Sequence, residues 1–381
     1  MRIAYVSDTV YPYELGGMQK RVWELARRLV QRGHEVTLFG MKYWGGEDVI
    51  YNEGVRLWGV CPSQALYVNG HRSIKQAVYF AGKVLRPLLK EKFDVIDCQE
   101  FPYFPCFSAK LCSVVKRTPL VITWFEVWDR YWSEYLGRKG VFGRGIERVT
   151  SYLSGSMIAV SQKVKDDLVS IGVSPDKVKV VPDGIDFTGI QRTDGRESKK
   201  YDILYSGRLI EHKNVDVLIR ATDIVKRTTP DIKCGITGDG PAREYLEGLK
   251  KQLNLERNVE FFGFLERDED VISKMKSSKV FALPSTREGA GLVTLEANAC
   301  GLPVITVDHV ANGAKEVVIE GLNGFLCELS EKELASKILM ALDKSEAMKT
   351  ACIEFSKGYD WGRIADLTES TYKEAVEDSG E

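Results

Sequence analysis

The chain has 381 residues, 44% of them hydrophobic, with 53 basic and 54 acidic side chains, a length that suits two domains better than one core. The near-neutral balance gives no ground for a nucleic-acid partner, and no apolar run reaches membrane-spanning length. Four histidines without an H-E-x-x-H spacing and eight cysteines without a C-x-x-C pair argue against a catalytic zinc site and for a reduced, intracellular protein. The N-terminus enters a strand at once, with no basic stretch and apolar core before it, so a soluble protein is expected, cytoplasmic or at most peripheral at the cytoplasmic membrane face.

In chain order, apolar runs at residues 3–6, 35–39, 95–98, 120–123 and 157–160 predict strands. Between the first two, Val22-Trp23, Leu25-Ala26 and Leu29-Val30 recur at helical spacing with charges opposite. Alternation of this kind predicts parallel strands joined by crossover helices. Gly16 and Gly17, after the first strand and before a helix starting near Gln19, leave room for a phosphate or sugar against backbone amides. The full G-x-G-x-x-G spacing of a dinucleotide site is missing. Further on, Trp128, Trp132 and Tyr135 are spaced by four and three, which predicts one buried face of an amphipathic helix, the alternative being aromatic rings that stack on sugar faces or rest at a membrane interface.

The first plan ends near Pro182-Asp183-Gly184, a turn signal followed by a polar stretch over residues 191–200. Runs at residues 203–205, 234–236, 259–262, 279–283 and 304–307 then repeat the strand pattern. Domains at 1–185 and 186–360 follow, with a last helical segment at 361–381.

The loops after these later strands carry the chemistry, since open parallel sheets bind ligands at their carboxyl ends. Arg208 and Lys213 leave one loop, before a helix expected to be capped by Asn214, and two cations there suit a diphosphate. Gly238 and Gly240 flank Asp239 in the next loop, with Pro241 at a first-turn position. Phe264 and Leu265 follow a strand and offer apolar sides for a base. Asp268-Glu269-Asp270 spells a D-x-D metal motif, but its place at a helix start favours an N-terminal acid cluster. Finally, Glu288 and Glu296 surround Gly289-Ala290-Gly291-Leu292 in a strand-to-helix turn, where backbone N–H groups favour an anion. Acids beside a phosphate-friendly turn suit a ligand with both hydroxyls and phosphates.

The order Gly-Gly, G-R-x4-K, G-D-G-P and E-x7-E resembles glycosyltransferase family 4 over nearly the whole chain. Pro182-Asp183-Gly184-Ile185-Asp186 is similar to that family's P-N-G-V-D, and Tyr359-Asp360-Trp361 looks like the start of its returning helix. The resemblance implies an α/β GT-B fold, with two facing Rossmann-like domains of parallel sheet, an active site in the cleft between them and a last helix crossing back to the first domain. It implies a retaining hexosyltransferase that needs no metal or other cofactor and moves a sugar from a nucleoside-diphosphate donor to a glycan or lipid-linked acceptor. The first domain would bind the acceptor and the second the donor.

On that resemblance Arg208 and Lys213 hold the diphosphate, Glu296 the ribose hydroxyls and Glu288 the donor sugar, making Glu288, Arg208 and Lys213 the catalytic set. Gly16, Gly17, Gly238, Phe264, Leu265 and the amides of residues 289–292 complete the donor contacts. Trp124, Phe125, Glu126, Arg130 and Tyr131 are the acceptor candidates. One departure stands out: Phe125 occupies the place where the family commonly carries a His facing the reacting sugar, and a phenyl ring neither donates nor accepts a proton. An impaired nucleotide-sugar-binding protein is the alternative it raises. A nucleotide-sugar epimerase of the same fold is a further one, expected to need extra cleft carboxylates and His.

Charge is unevenly spread. Residues 1–185 carry 26 Lys and Arg against 19 Asp and Glu, and the remainder 27 against 35. The basic half consists either of solvated helix faces or of a surface for an anionic partner, such as a membrane or a phosphorylated acceptor.

Overall fold

The structure is a computed structural model, and the residues it describes are 1–68, 71–195 and 200–379. The chain divides into two compact units, one formed by Met1–Asp183 with Trp361–Glu381 and the other by Gly184–Asp360.

The first unit contains β1 (Arg2–Val6), β2 (Glu35–Lys42), β3 (Val49–Asn52), β4 (Val55–Pro62), the short pair β5 (Tyr67–Val68) and β6 (His71–Arg72), then β7 (Val95–Gln99), β8 (Leu120–Trp124), β9 (Ser156–Ala159) and β10 (Val178–Val180). Its main sheet has the order β10-β9-β8-β7-β1-β2-β4-β3. Every neighbouring pair is parallel except β3 with β4. That edge hairpin went unpredicted; β4 alternates buried and half-buried residues, as a strand with only one face against the core does.

The first helix, Gly17–Gln31, starts two residues earlier than its apolar pattern suggested and buries Val22, Trp23, Leu25, Ala26 and Leu29. It also buries Arg21, whose Nη1 lies 2.8 Å from Asp183 Oδ1 and donates to Pro182 O, while Nη2 donates to Val181 O. A buried guanidinium needs such saturation. The Pro-Asp-Gly turn is therefore fixed to this helix. The last helix, Trp361–Asp378, adds Trp361, Ile364 and Tyr372 to the core of β1 and the first helix.

The second unit contains β11 (Tyr201–Ser206), β12 (Cys234–Thr237), β13 (Val259–Gly263), β14 (Ser278–Leu283), β15 (Val304–Val307) and β16 (Gly324–Cys327). The order is β13-β12-β11-β14-β15-β16, all parallel. This is the doubly wound order 3-2-1-4-5-6, whose direction of winding reverses between β11 and β14. β16 escaped prediction because it opens on Asn323-Gly324, which reads as a turn in sequence, although the glycine is needed there because a Cβ would stand 2.3 Å from Val304 O. A helix, Phe187–Arg192, reaches into the first two residues of the polar stretch expected over 191–200; residues 196–199 of that stretch lie outside the described residues. Among the described residues no helix is long and apolar enough to cross a membrane.

Candidate functional site

In the second unit the carboxyl ends of β11, β12 and β14 each release a loop, and backbone bonds lace the three together. Leu209 N donates to Asp239 O, Ala242 N to Leu209 O, Gly238 N to Gly263 O and Thr286 N to His212 O. Gly238 is required by this lacing, because a Cβ there would stand 1.9 Å from Gly207 O. Asn214 does not cap the following helix, as expected, but sits at φ 50° and turns its amide to His212 O and Pro284 O. Tying two loops satisfies both amide protons, which a cap does not use. The helix expected to start at Pro241 begins at Arg243, so Pro241 belongs to the turn.

Lys213 and Glu288 meet across the winding reversal, Nζ to Oε1 at 2.5 Å, with both side chains mostly buried. Arg208 is exposed at the mouth of the same loop. Burial, and next the Glu288 carboxylate, push the Tyr205 hydroxyl above its usual range, while the Arg208 guanidinium opposes them; the four side chains share one neighbourhood. Tyr205 in turn donates to Arg208 O at 3.0 Å.

The loop of residues 284–291 is held from the far side by a turn that sequence reasoning missed. Glu288 N donates to Ala311 O and Gly313 N to Glu288 O. Asn312 is buried, donating to Thr306 Oγ1 and Val307 O and accepting from Ala314 N. A Cβ on Gly313 would stand 2.0 Å from Gly289 O. Asn-Gly after a strand was the available signal. Gly291, at φ 65°, is the residue before the helix Leu292–Ala299, and Gly289, Ala290, Gly291 and Leu292 are all half-buried around that helix start. Glu296 projects from the same helix, half-buried. Phe264 is exposed and Leu265 half-buried beyond β13. Asp268, Glu269 and Asp270 lie in the first turn of the helix Asp268–Lys276, with Arg267 2.7 Å from Asp270.

In the first unit Gly16 precedes and Gly17 begins the first helix, both exposed. Three of the acceptor candidates follow β8 as half-buried side chains, Phe125, Glu126 and Tyr131, and Arg130 is exposed. Trp124 requires correction. It points into the core, fully buried, because β8 is a central strand covered on both faces, and it is unavailable to any acceptor. The amphipathic helix is also corrected: it spans only Tyr131–Leu136. Glu147 accepts N–H bonds from Trp128 and Asp129, at 2.7 and 2.8 Å, and Asp129 stands at φ 33°. These interrupt the helix and leave Trp128 in the loop, stacked on Phe101 and in contact with Tyr131, Trp132 and Tyr135.

Two buried carboxyls at the same strand ends were not singled out. Asp8 pairs with Arg72 and accepts from Gln76 Nε2 at 3.1 Å. Glu100 accepts from Phe125 N at 3.1 Å through Oε1, while Oε2 has no protein partner. Desolvation pushes Glu100 up to about 8, which favours its neutral form. An acidic residue two positions past an apolar run marked both positions.

Residues 15–188 match the family described as Glycosyltransferase Family 4, and residues 186–358 that described as Glycosyl transferases group 1. An uncharacterised glycosyltransferase of Methanocaldococcus jannaschii is 29% identical over the full length of both chains. The phosphatidylinositol N-acetylglucosaminyltransferase gpi3 subunit of Schizosaccharomyces pombe is 25% identical over 96% of this chain and 79% of its own. Among solved structures, Anabaena HepE in complex with UDP superposes with a TM-score of 0.74 at 20% identity, covering 98% of this chain and all of that one.

Proposed function

The chain belongs to glycosyltransferase family 4, with the GT-B fold, and from that premise we propose that it is a retaining hexosyltransferase using a nucleoside-diphosphate sugar and a glycan or lipid-linked acceptor. The observation that carries the donor half is the Lys213–Glu288 pair at the winding reversal, with Arg208 beside it. In the proposed reaction the bond from the anomeric carbon to the diphosphate oxygen breaks and its electrons pass to that oxygen. Arg208 and Lys213 neutralise the charge that develops there, the electrostatic part a metal ion takes in other transferases. Glu288 and Glu296 hold hydroxyls of the sugar and the ribose. The acceptor oxygen forms the new bond on the face the leaving group vacates, and its proton passes to the departing phosphate. UDP in the HepE complex supports the class of donor, and the name of the Schizosaccharomyces pombe relative supports a lipid-linked acceptor.

Calorimetric titration with uridine, guanosine and adenosine diphosphates tests the donor half. One diphosphate should bind the native chain, and Arg208→Ala and Glu296→Ala should each weaken it about tenfold or more. Unchanged affinity in both variants removes the basis of the reading.

Phe125 favours a second reading, a nucleotide-sugar-binding protein of low transfer activity. Donor turnover by the native chain against Phe125→His decides between them: a large gain with unchanged donor affinity supports impairment, and robust turnover by the native chain defeats it.

A further inference from the structure

The strands β7, β8, β9 and β10 lie side by side in chain order. Right-handed crossovers therefore put their connecting helices on one face of the first unit's sheet. These include Phe104–Lys116 and Gly140–Thr150. Ile74–Lys90, which crosses from β4 to β7 in the same sense, joins this layer through Ser108 Oγ donating to Ala81 O at 2.7 Å.

The outer side of the layer is apolar where a water-facing helix is ordinarily polar. Phe107, Leu111 and Val114 recur at four and three residues and are 37, 49 and 63% exposed. Val141, Phe142 and Val149 share one face of the next helix at 65, 73 and 52%, and Tyr152 continues that face just past its end at 63%.

Charge has one sign on the two basic helices of the layer, whereas Gln162–Ser170, which crosses from β9 to β10, carries Asp166 and Asp167 beside Lys163 and Lys165. The helices Ile74–Lys90 and Phe104–Lys116 contain six Lys and Arg and no Asp or Glu, and Lys75, Lys83, Arg86 and Lys90 are all exposed. The one acid of Gly140–Thr150, Glu147, is buried and engaged by backbone N–H groups.

We propose that this helical layer docks on an anionic lipid bilayer, the apolar stripes entering the headgroup region and the cations of Ile74–Lys90 lying against lipid phosphates. Apolar area and basic charge together give the two attachments that reversible membrane binding requires. The inference stands on exposure and charge and does not use the proposed transfer reaction.

Flotation of the full chain with vesicles tests it. The native protein should float with phosphatidylcholine containing about one third phosphatidylglycerol, should not float with phosphatidylcholine alone, and should be released by salt. Phe142→Asp with Val149→Asp, and separately Arg86→Glu with Lys90→Glu, should each lower binding about tenfold or more while circular dichroism and diphosphate affinity stay native. Absence of native binding, or equal binding by both variants, overturns the proposal. So does a native dimer in light scattering that Phe142→Asp dissociates, which assigns the face to a second copy. Native diphosphate affinity in these variants separates this failure from failure of the donor site.

Discussion

Glu288 and Lys213 are joined at 2.5 Å although 75 residues separate them, because β14 and β11 are neighbours in the sheet. The pair orients a lysine and a carboxylate toward one another before any ligand arrives. Lys213→Met, Glu288→Gln and the double variant should give a coupling of about 1 kcal/mol in stability, as for ion pairs that retain some contact with water. In a saturating concentration of whichever diphosphate the titration selects, that coupling should fall, because Lys213 then divides its contacts with phosphate. Coupling unchanged by that ligand would place the diphosphate elsewhere.

Gly313→Ala should move the carboxylate loop. Its Cβ would overlap Gly289 O, so the backbone of one loop must shift, at a cost of about 1–3 kcal/mol. Asn312→Ala, which leaves Ala314 N without its acceptor, should cost about 2 kcal/mol. Both variants should weaken diphosphate binding while leaving the first unit's melting unchanged, as differential scanning calorimetry can resolve.

Glu100 predicts a pH dependence. Its folded pKa, about 8, lies above the ordinary 4.5, so the folded chain binds more protons than the unfolded one between these values. Its contribution therefore favours folding most below about pH 4.5 and is lost as pH rises to about 8. Glu100→Gln, a fixed mimic of the protonated acid, should become progressively more stable than the native chain over that interval. Urea unfolding at about pH 5 and about pH 9 measures this; an equal stability difference at the two pH values counts against a raised Glu100.

Trp124 and Arg130, both acceptor candidates from sequence, should now separate. Trp124→Ala removes a fully buried ring and should cost about 3–5 kcal/mol. Arg130→Ala, on an exposed site, should stay within about 0.5 kcal/mol of native. Thermal denaturation of the two variants side by side is sufficient.

A chain ending at Asp360 should lose the first unit and keep the second. Its core would lack Trp361, Ile364 and Tyr372, and Asp97 would lose the Tyr372 hydroxyl that donates to it at 2.5 Å. Limited proteolysis should digest residues before Asp183 and spare a fragment near 184–360.

Much of the site was legible because it is local. Arg208, Gly238 and Gly289 each sit in a strand–turn–helix step, and that step is written in consecutive residues: an apolar run, glycines and a helix start. Asn312 was illegible as a support for Glu288 because its partners, Thr306 and Val307, become meaningful only once β14 and β15 pair. Trp128 misled for the opposite reason. Its spacing to Trp132 and Tyr135 is helical, but Glu147, nineteen residues away, takes its N–H and holds it in the loop before the helix begins.

The sequence by itself determined the strand-and-helix alternation, the parallel sheets, the turn at Pro182-Asp183-Gly184 and which loops carry cations and acids, since periodicity and turn chemistry act over a few residues. The tertiary structure alone decided which of those charges meet and which aromatic ring is core. It also decided that the last helix shares its core with β1 and that one helical layer keeps its apolar stripes in the open. Each depends on strand order and burial, which bring together residues far apart in the chain and set the cost of leaving any polar group among them without a partner.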